Sequence, residues 1–393
     1  MKEINTDVVI VGAGLIGLVT AHCLLSLKYR VIIIDKKIFN KQDIGQKDVR
    51  TVAVSQGSKL FLESLSLWKS LEKFSEPIKK IRVFNRKSSN RILFENSNLN
   101  KDLGYVIENS KFSKILINSL KKKKNIKILY GVELNKIETN TSTPRVFLKN
   151  QTIKSKLIIA ADGKNSTLRK MIGNKIFKKK YSDSALVINF FHQNNLKNIA
   201  YEIFYDSGPL AILPMRAKNG FFQSSIIWSN KDLFVKNIIN CDKNFVKNII
   251  VEKIGHIIGD IIKINSVQKF PLSAHINDSF FNQRLIYIGD SAHSIHPIAG
   301  QGWNLGVKDV KNLQHTCIES KLKQIEIGSS VFCKKYHSLS YNNAFQLYQI
   351  TDKLNYHFKR KNNLYKFITN TGFELIENNK PLKNKITKYA MGL

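Results

Sequence analysis

Three separated turns built from glycine and an acidic residue carry the residue types best suited to chemistry in this chain. The first is Gly12-Ala13-Gly14-Leu15-Ile16-Gly17. Glycine permits a tight turn at Gly12, lets the backbone approach a pyrophosphate at Gly14, and lets a helix pack close to a strand at Gly17. The N–H groups that open the following helix have no intrahelical acceptor and suit a phosphate. Asp35 follows Gly17 by 18 residues, where a carboxylate can accept from a ribose hydroxyl. This set binds a dinucleotide, and FAD and NAD share it. The second turn is Asp162-Gly163 in Leu157–Arg169, a common strand-to-helix turn when taken alone. The third runs from Gly289-Asp290 through His293, His296-Pro297 and Gly300-Gln-Gly302-Trp-Asn304 to Asp309. There Asp290 can accept hydrogen bonds from a ribityl chain. A glycine-rich loop can lay bare N–H groups against a flat ring, and a helix N-terminus stabilises negative charge on a reduced flavin.

These turns need elements to hold them. Asp7–Val11 reads as a buried parallel strand, followed by a helix to about Lys28 and a second strand, Val31–Ile34. Apolar strands also lead into Asp162 and into Gly289. Leu186–Phe191 and Gly220–Trp228 read as strands of another sheet. From about residue 330, Tyr, Phe and Leu recur at helical spacing. That stripe reads as core, with the covering of a lipid tail or a membrane contact as the alternative. Val8–Leu27 is 20 uncharged residues long, enough to span a bilayer. Its glycines, His22 and the apolar run close behind it favour strand, turn and helix instead. No basic segment followed by a small-residue cleavage site marks a signal peptide. The expectation is a cytoplasmic protein, at most peripheral to the inner face of the membrane.

Composition narrows the class. With 43% hydrophobic residues in 393, the chain can bury a core of about two domains and is neither disordered nor fibrous. The four cysteines are far apart, which disfavours a disulfide scaffold or zinc ribbon. His293 and His296 lack a third ligand for a metal, so no metal is expected. They read as hydrogen-bonding groups beside the glycine loop, with His293 the candidate for acid–base work. Tyr201 and Tyr205 read as strand packing. Arg169 suits a phosphate contact or a helix-surface ion pair. Lysine and arginine exceed acidic residues by 34, a field that attracts polyanions. Only ten of the 63 basic residues are arginine, and they are spread along the chain without interleaved aromatics. Solvated lysines or an anionic membrane surface fit this better than nucleic acid.

In this order and spacing the three motifs resemble the aromatic-ring flavin monooxygenases of the para-hydroxybenzoate hydroxylase fold. The likeness narrows to the FAD-dependent hydroxylases of ubiquinone biosynthesis. Asp48-Val-Arg50-Thr-Val-Ala-Val-Ser55, Gly104–Asn109, Ala200–Phe204 with Gly208–Pro214, Phe270-Pro-Leu272, Asp352–Asn355 and Ala390–Leu393 are similar to stretches of that family. Departures are Trp303 for a smaller aliphatic, Ser291 for Ala, Asp35 for Glu, and Ser110 for Arg. The resemblance implies non-covalent FAD, reduced by NADH or NADPH. O2 is captured as a C4a-hydroperoxide, and its distal oxygen is transferred to a polyprenylated phenol. It places Gly12, Gly14, Gly17 and Asp35 on the ADP half of FAD, and Arg50 and Asn109 near the flavin nucleotide. Asp162 falls at the pyrophosphate, Gly289 and Asp290 at the ribityl chain, and Pro297, Gly300, Gly302 and Asn304 against the isoalloxazine ring. No second GxGxxG has strand context, in keeping with transient NAD(P)H binding.

The fold implied is α/β: a Rossmann-like FAD-binding domain (1–75, 100–177 and 272–325), an inserted β-sheet substrate domain (76–99 and 178–271) and a C-terminal helical region (326–393). Other quinone-biosynthesis proteins are possible partners. The competing functions are a flavin oxidoreductase acting on another aromatic or isoprenoid, and a non-catalytic FAD-containing subunit of a lipid-biosynthesis complex.

Overall fold

The apolar run Val8–Val11 lies at the centre of a six-stranded sheet, with every residue buried. The computed structural model describes residues 2–38, 48–85, 91–95, 101–360 and 362–393. The strand order is Phe281–Asn282, Leu285–Tyr287, Leu157–Ala160, Val8–Val11, Val31–Asp35 and Ile126–Tyr130. All neighbours are parallel except the first pair. A parallel sheet is covered on both faces, which is why its strands are continuous apolar runs rather than alternating ones. Helix Leu15–Ser26 packs against helices Asn109–Leu120 and Gln301–Leu322 beside this sheet. The uncharged stretch from Val8 is therefore strand, turn and helix.

An eight-stranded sheet forms the second large layer. Its order is His293–Ser294, Ile261–Asn277, Ile176–His192, Phe221–Lys231, Gly208–Lys218, Ile199–Tyr205, Lys80–Asn85 and Arg91–Glu95. Alternation divides its residues. Leu186, Ile188, Phe190, Tyr201 and Ile203 face one way, into a core shared with Val235, Val246, Ile250 and Ile254 of helices Asp232–Ile239 and Lys243–Ile258. The opposite face turns toward the nucleotide half. There Asn189 Nδ2 donates to Val49 O at 2.7 Å, and the Arg50 guanidinium lies 5.2 Å from the centroid of Phe270. A small antiparallel sheet, Thr51–Ser55, Gly104–Glu108 and Ser75–Ile78, sits between the two. Ser75–Ile78 pairs there and not in the eight-stranded sheet.

Helices Ser330–Lys359, Asn363–Asn378 and Lys380–Ala390 end the chain. Its last residues are tied beside the glycine loop: Gly57 N–H donates to Met391 O at 2.7 Å, and Gln301 Nε2 donates to Ala390 O at 3.2 Å. A Cβ at Gly57 would lie 2.2 Å from Gly392 O, so glycine is needed for this docking. The α/β architecture with a separate β-sheet layer and C-terminal helices is the one the sequence leads to.

The packing of the first turn is testable. Gly12 has φ +113°, and a Cβ there would lie 2.2 Å from Ala161 O. Gly12→Ala is expected to cost on the order of 3 kcal/mol or more, read by denaturant unfolding. Wild-type stability in that variant would contradict the close approach.

Candidate active site

The three turns meet. Gly12 lies against Ala161 and Asp162 of the second turn, while a Cβ at Gly17 would lie 2.0 Å from Gly12 O. Ile16 of the first turn fills the space beside both Gly289 and Gly306, whose Cβ atoms would lie 3.1 and 2.8 Å from it. Ser291 joins the second and third strands: its Oγ donates to Ala160 O and accepts from Ile288 N–H at 3.1 Å. Arg169 is not the helix-surface residue that one of its two readings expects. It is buried, and it donates to Lys164 O (2.6 Å), Ser291 O (3.0 Å) and His275 Nε2 (3.0 Å). Burial, reinforced by the Arg169 charge, pushes His275 down to about 3, so its ring is a neutral acceptor. The guanidinium therefore staples the second turn, the third turn and the large sheet. Its five donors suit it to this task, whereas lysine would supply a single point charge.

Asp35 accepts from Ala13 N–H at 2.7 Å and from Lys37 N–H at 2.8 Å, so it braces the first turn. Asp162 Oδ2 caps helix Thr167–Ile172 by accepting from Thr167 N–H (2.7 Å) and Leu168 N–H (3.2 Å), while its Oδ1 is buried without a partner among the described residues. Arg50 and Asp48 form a two-point ion pair at 2.7 and 2.8 Å, and Asn109 Nδ2 donates to Asp48 Oδ2 at 3.2 Å. Asp48, in sequence only the start of the Asp48–Ser55 stretch, is thus the residue that holds Arg50 and Asn109 together. Asn304 uses its whole amide on protein. It donates to Ala53 O (2.8 Å) and Gly300 O (3.4 Å), and accepts from Ser55 N–H (2.9 Å) and Ser58 Oγ (2.9 Å). It ties the glycine loop to strand Thr51–Ser55. Pro297 precedes a short 3-10 turn, Ile298–Gly300, and Gly300 takes φ +60° as the loop enters helix Gln301–Leu322. Gly302 lies in the first turn of that helix.

Asp290 is open to solvent but crowded on its other sides by protein. That crowding pushes its carboxyl upward, against the charges of His293, Arg50 and Lys164. His293 is buried and its Nε2 lies 2.7 Å from Asp309 Oδ2, which also accepts from Gly289 N–H at 2.9 Å. Burial opposes charge on His293, but the Asp309 carboxylate outweighs it and raises the imidazole above its ordinary value. His293 is thus held beneath the third turn as a positioning residue. His296 is buried against Tyr181 with neither ring nitrogen hydrogen-bonded to a described residue, and burial pushes it down to about 4.

These features fit FAD. Helix Leu15–Ser26 opens at Gly14 with no side-chain cap and no acidic residue in its first turn. A Cβ at Gly14 would meet nothing within 4 Å, so the helix N-terminus faces open space in which a pyrophosphate fits. Helix Gln301–Leu322 likewise opens at Gly300 without a side-chain cap or an early acid. Its free N–H groups suit the electron-rich edge of a flavin ring.

Comparison with known proteins agrees. Residues 5–321 match the FAD binding domain family. The chain is 25% identical over 387 residues to the ubiquinone hydroxylase UbiL of Rhodospirillum rubrum, covering 98% of this chain and 89% of that one. It is 25% identical over 397 residues to the 3-demethoxyubiquinol 3-hydroxylase of Escherichia coli, covering all of both. The crystal structure of the p-nitrophenol 4-monooxygenase PnpA from Pseudomonas putida superposes with a TM-score of 0.77 at 18% identity, over 100% of this chain and 99% of that one, and so shares its fold. The chain belongs to the FAD-binding domain family. Within it, the protein is an FAD-dependent enzyme of the monooxygenase type.

Two predictions follow from this geometry. Gly14→Ala should fold with near wild-type stability, because its Cβ meets no protein atom, yet bind FAD at least about tenfold more weakly, read by flavin fluorescence titration. Unchanged affinity would move the pyrophosphate elsewhere. Asp309→Asn breaks a buried pair and should lose on the order of 3–5 kcal/mol at acidic pH. The charged His293–Asp309 pair stabilises the fold fully below the ordinary histidine value of 6.5, and that stabilisation fades as pH rises through the raised one. The gap between wild type and variant should therefore narrow with rising pH in denaturant unfolding. A gap independent of pH would contradict the charge assignment.

Proposed function

We propose that the protein hydroxylates a polyprenylated phenol in ubiquinone biosynthesis, using FAD, NADH or NADPH, and O2. The observation that carries this reading is the position of strand Thr51–Ser55. Ala53 lies 3.3 Å from where a Cβ of Gly300 would be and accepts from Asn304, while Val49 and Arg50, just before the strand, contact the inner face of the eight-stranded sheet. A ring seated against the glycine loop therefore borders that sheet face. Bound FAD supplies the redox chemistry that activates O2. The chain's own residues bind and orient it: Gly12 and Gly14 at the pyrophosphate, Asp35 and Asp290 at the sugar hydroxyls, and the loop Pro297–Asn304 against the ring. The inner sheet face and the C-terminal helices enclose the phenol and exclude water.

Hydroxylase relatives matched over almost the whole chain support the same substrate class. No helix among the described residues is long and apolar enough to cross a membrane. In this reading the prenyl substrate is drawn from a membrane surface, where the excess of basic residues favours anionic lipid, and other quinone-biosynthesis proteins are its neighbours.

The purified yellow protein should consume NADH or NADPH faster when a 2-polyprenylphenol is added, and under heavy-isotope O2 the product should carry a single heavy oxygen by mass spectrometry. Turnover that persists without O2 would indicate a reductase. Oxidation of the nicotinamide that ignores every phenol would indicate a non-catalytic flavoprotein.

A further inference from the structure

We propose that Glu202 is the acid–base residue of the hydroxylation, accepting the proton of the substrate's phenolic hydroxyl and returning it to the product oxygen. This rests on the function proposed above. In the forward step the phenol O–H bond breaks, its electron pair stays on oxygen, and the carboxylate becomes a carboxylic acid. The phenolate so formed is the more electron-rich ring. The same proton goes back to that oxygen before the product leaves.

The placement follows from strand Ile199–Tyr205. Tyr201 and Ile203 pack on the helix-covered face of the sheet. Ala200 and Phe204 point the other way: Ala200 packs with Ile78, Val106, Met215 and Met391, and Phe204 with Ile298, Phe358 and Phe373. Glu202 lies between them by alternation, directly opposite Ala211 and Val83 on the neighbouring strands. Ile298 belongs to the glycine loop that would meet the flavin ring. A half-buried carboxyl group thus sits in an apolar wall beside that loop, and no described residue gives it a hydrogen bond or an ion pair.

Its surroundings leave it uncharged by neighbours. On its face the flanking strands present Ile81, Val83, Ala211 and Leu213. Of the charged groups on the elements around that face, Lys359 pairs with Asp183, Asp352 with Lys179 and Tyr181, Glu377 with Lys383, Lys80 with Glu95, and Arg216 acts on Glu76. Only desolvation acts on the carboxyl, and it raises it to about 8. That approaches the value of about 10 typical of a phenol, the match a proton acceptor needs.

A second observation concerns the polar groups that border the same apolar cluster. Phe358 stacks on Phe204 with ring centroids 3.7 Å apart. Asn355, one helical turn before Phe358, has a buried Oδ1, and His296, two residues before Ile298, two buried ring nitrogens, none of them with a partner among the described residues. An apolar cluster fringed by unmatched polar groups suits a ligand that is mostly hydrocarbon with one polar edge.

The test uses the FAD holoenzyme with 2-farnesylphenol and its methyl ether as probes. In the wild type, kcat/KM for hydroxylation should rise with pH through about 8 as Glu202 ionises. Glu202→Gln should keep its flavin and bind the methyl ether like wild type, lose hydroxylation by about 100-fold or more, and show no such rise. Glu202→Asp should restore the rise. A Glu202→Gln enzyme with the wild-type rate and pH profile overturns the proposal. So does loss of flavin in both variants, which would make Glu202 structural. A wild-type holoenzyme that hydroxylates no prenylated phenol overturns the functional reading itself.

Discussion

The structure depends on a close approach of backbone to backbone. Gly12 runs so near Ala161, and Gly17 so near Gly12, that no side chain fits at either position. That contact brings the end of strand Val8–Val11 and the end of strand Leu157–Ala160 to one level. The third turn joins them through Ile16, which packs beside Gly289 and Gly306. Two helices, opening at Gly14 and Gly300, then begin near these turns without a side-chain cap. A long cofactor with an anionic middle and a ring at one end matches that arrangement, because the middle and the ring each meet unpaired N–H groups.

Buried polar side chains keep the turns aligned. Arg169 links the second turn, the third turn and the eight-stranded sheet, Asp309 holds both Gly289 and His293, and Asn304 ties the glycine loop to strand Thr51–Ser55. Each satisfies its partners within the protein, which is what makes such groups tolerable in the interior. Both His296 nitrogens, Asn355 Oδ1, Asp162 Oδ1 and the Glu202 carboxyl group have no partner among the described residues. The contrast separates groups that build the site from groups available to what enters it.

The glycine turns were legible in the sequence because each is local: strand, turn, helix and acid follow one another within a few dozen residues. The α/β layering and the C-terminal helices followed from the same periodicities. Roles created by distant partners were not legible. Arg169 reads as a surface or phosphate residue until His275 and Ser291, more than a hundred residues later, are seen around it. Asn304 reads as a ring contact, but its amide is fully used by Ala53, Ser55, Ser58 and Gly300. Glu202 is hidden for another reason. In a strand flanked by Tyr201 and Tyr205 it looks like an ordinary outward-facing polar residue, and only the loop and helix packed over that face reveal its apolar setting.

A crystal structure of the protein soaked or co-crystallised with FAD tests the central claim most directly. The account predicts density for one cofactor molecule, with its pyrophosphate over Gly14, its ribityl chain at Asp290 and its ring against Gly300 and Gly302. A cofactor bound elsewhere on the surface, or one touching only the first turn, would contradict the convergence on which the site is built.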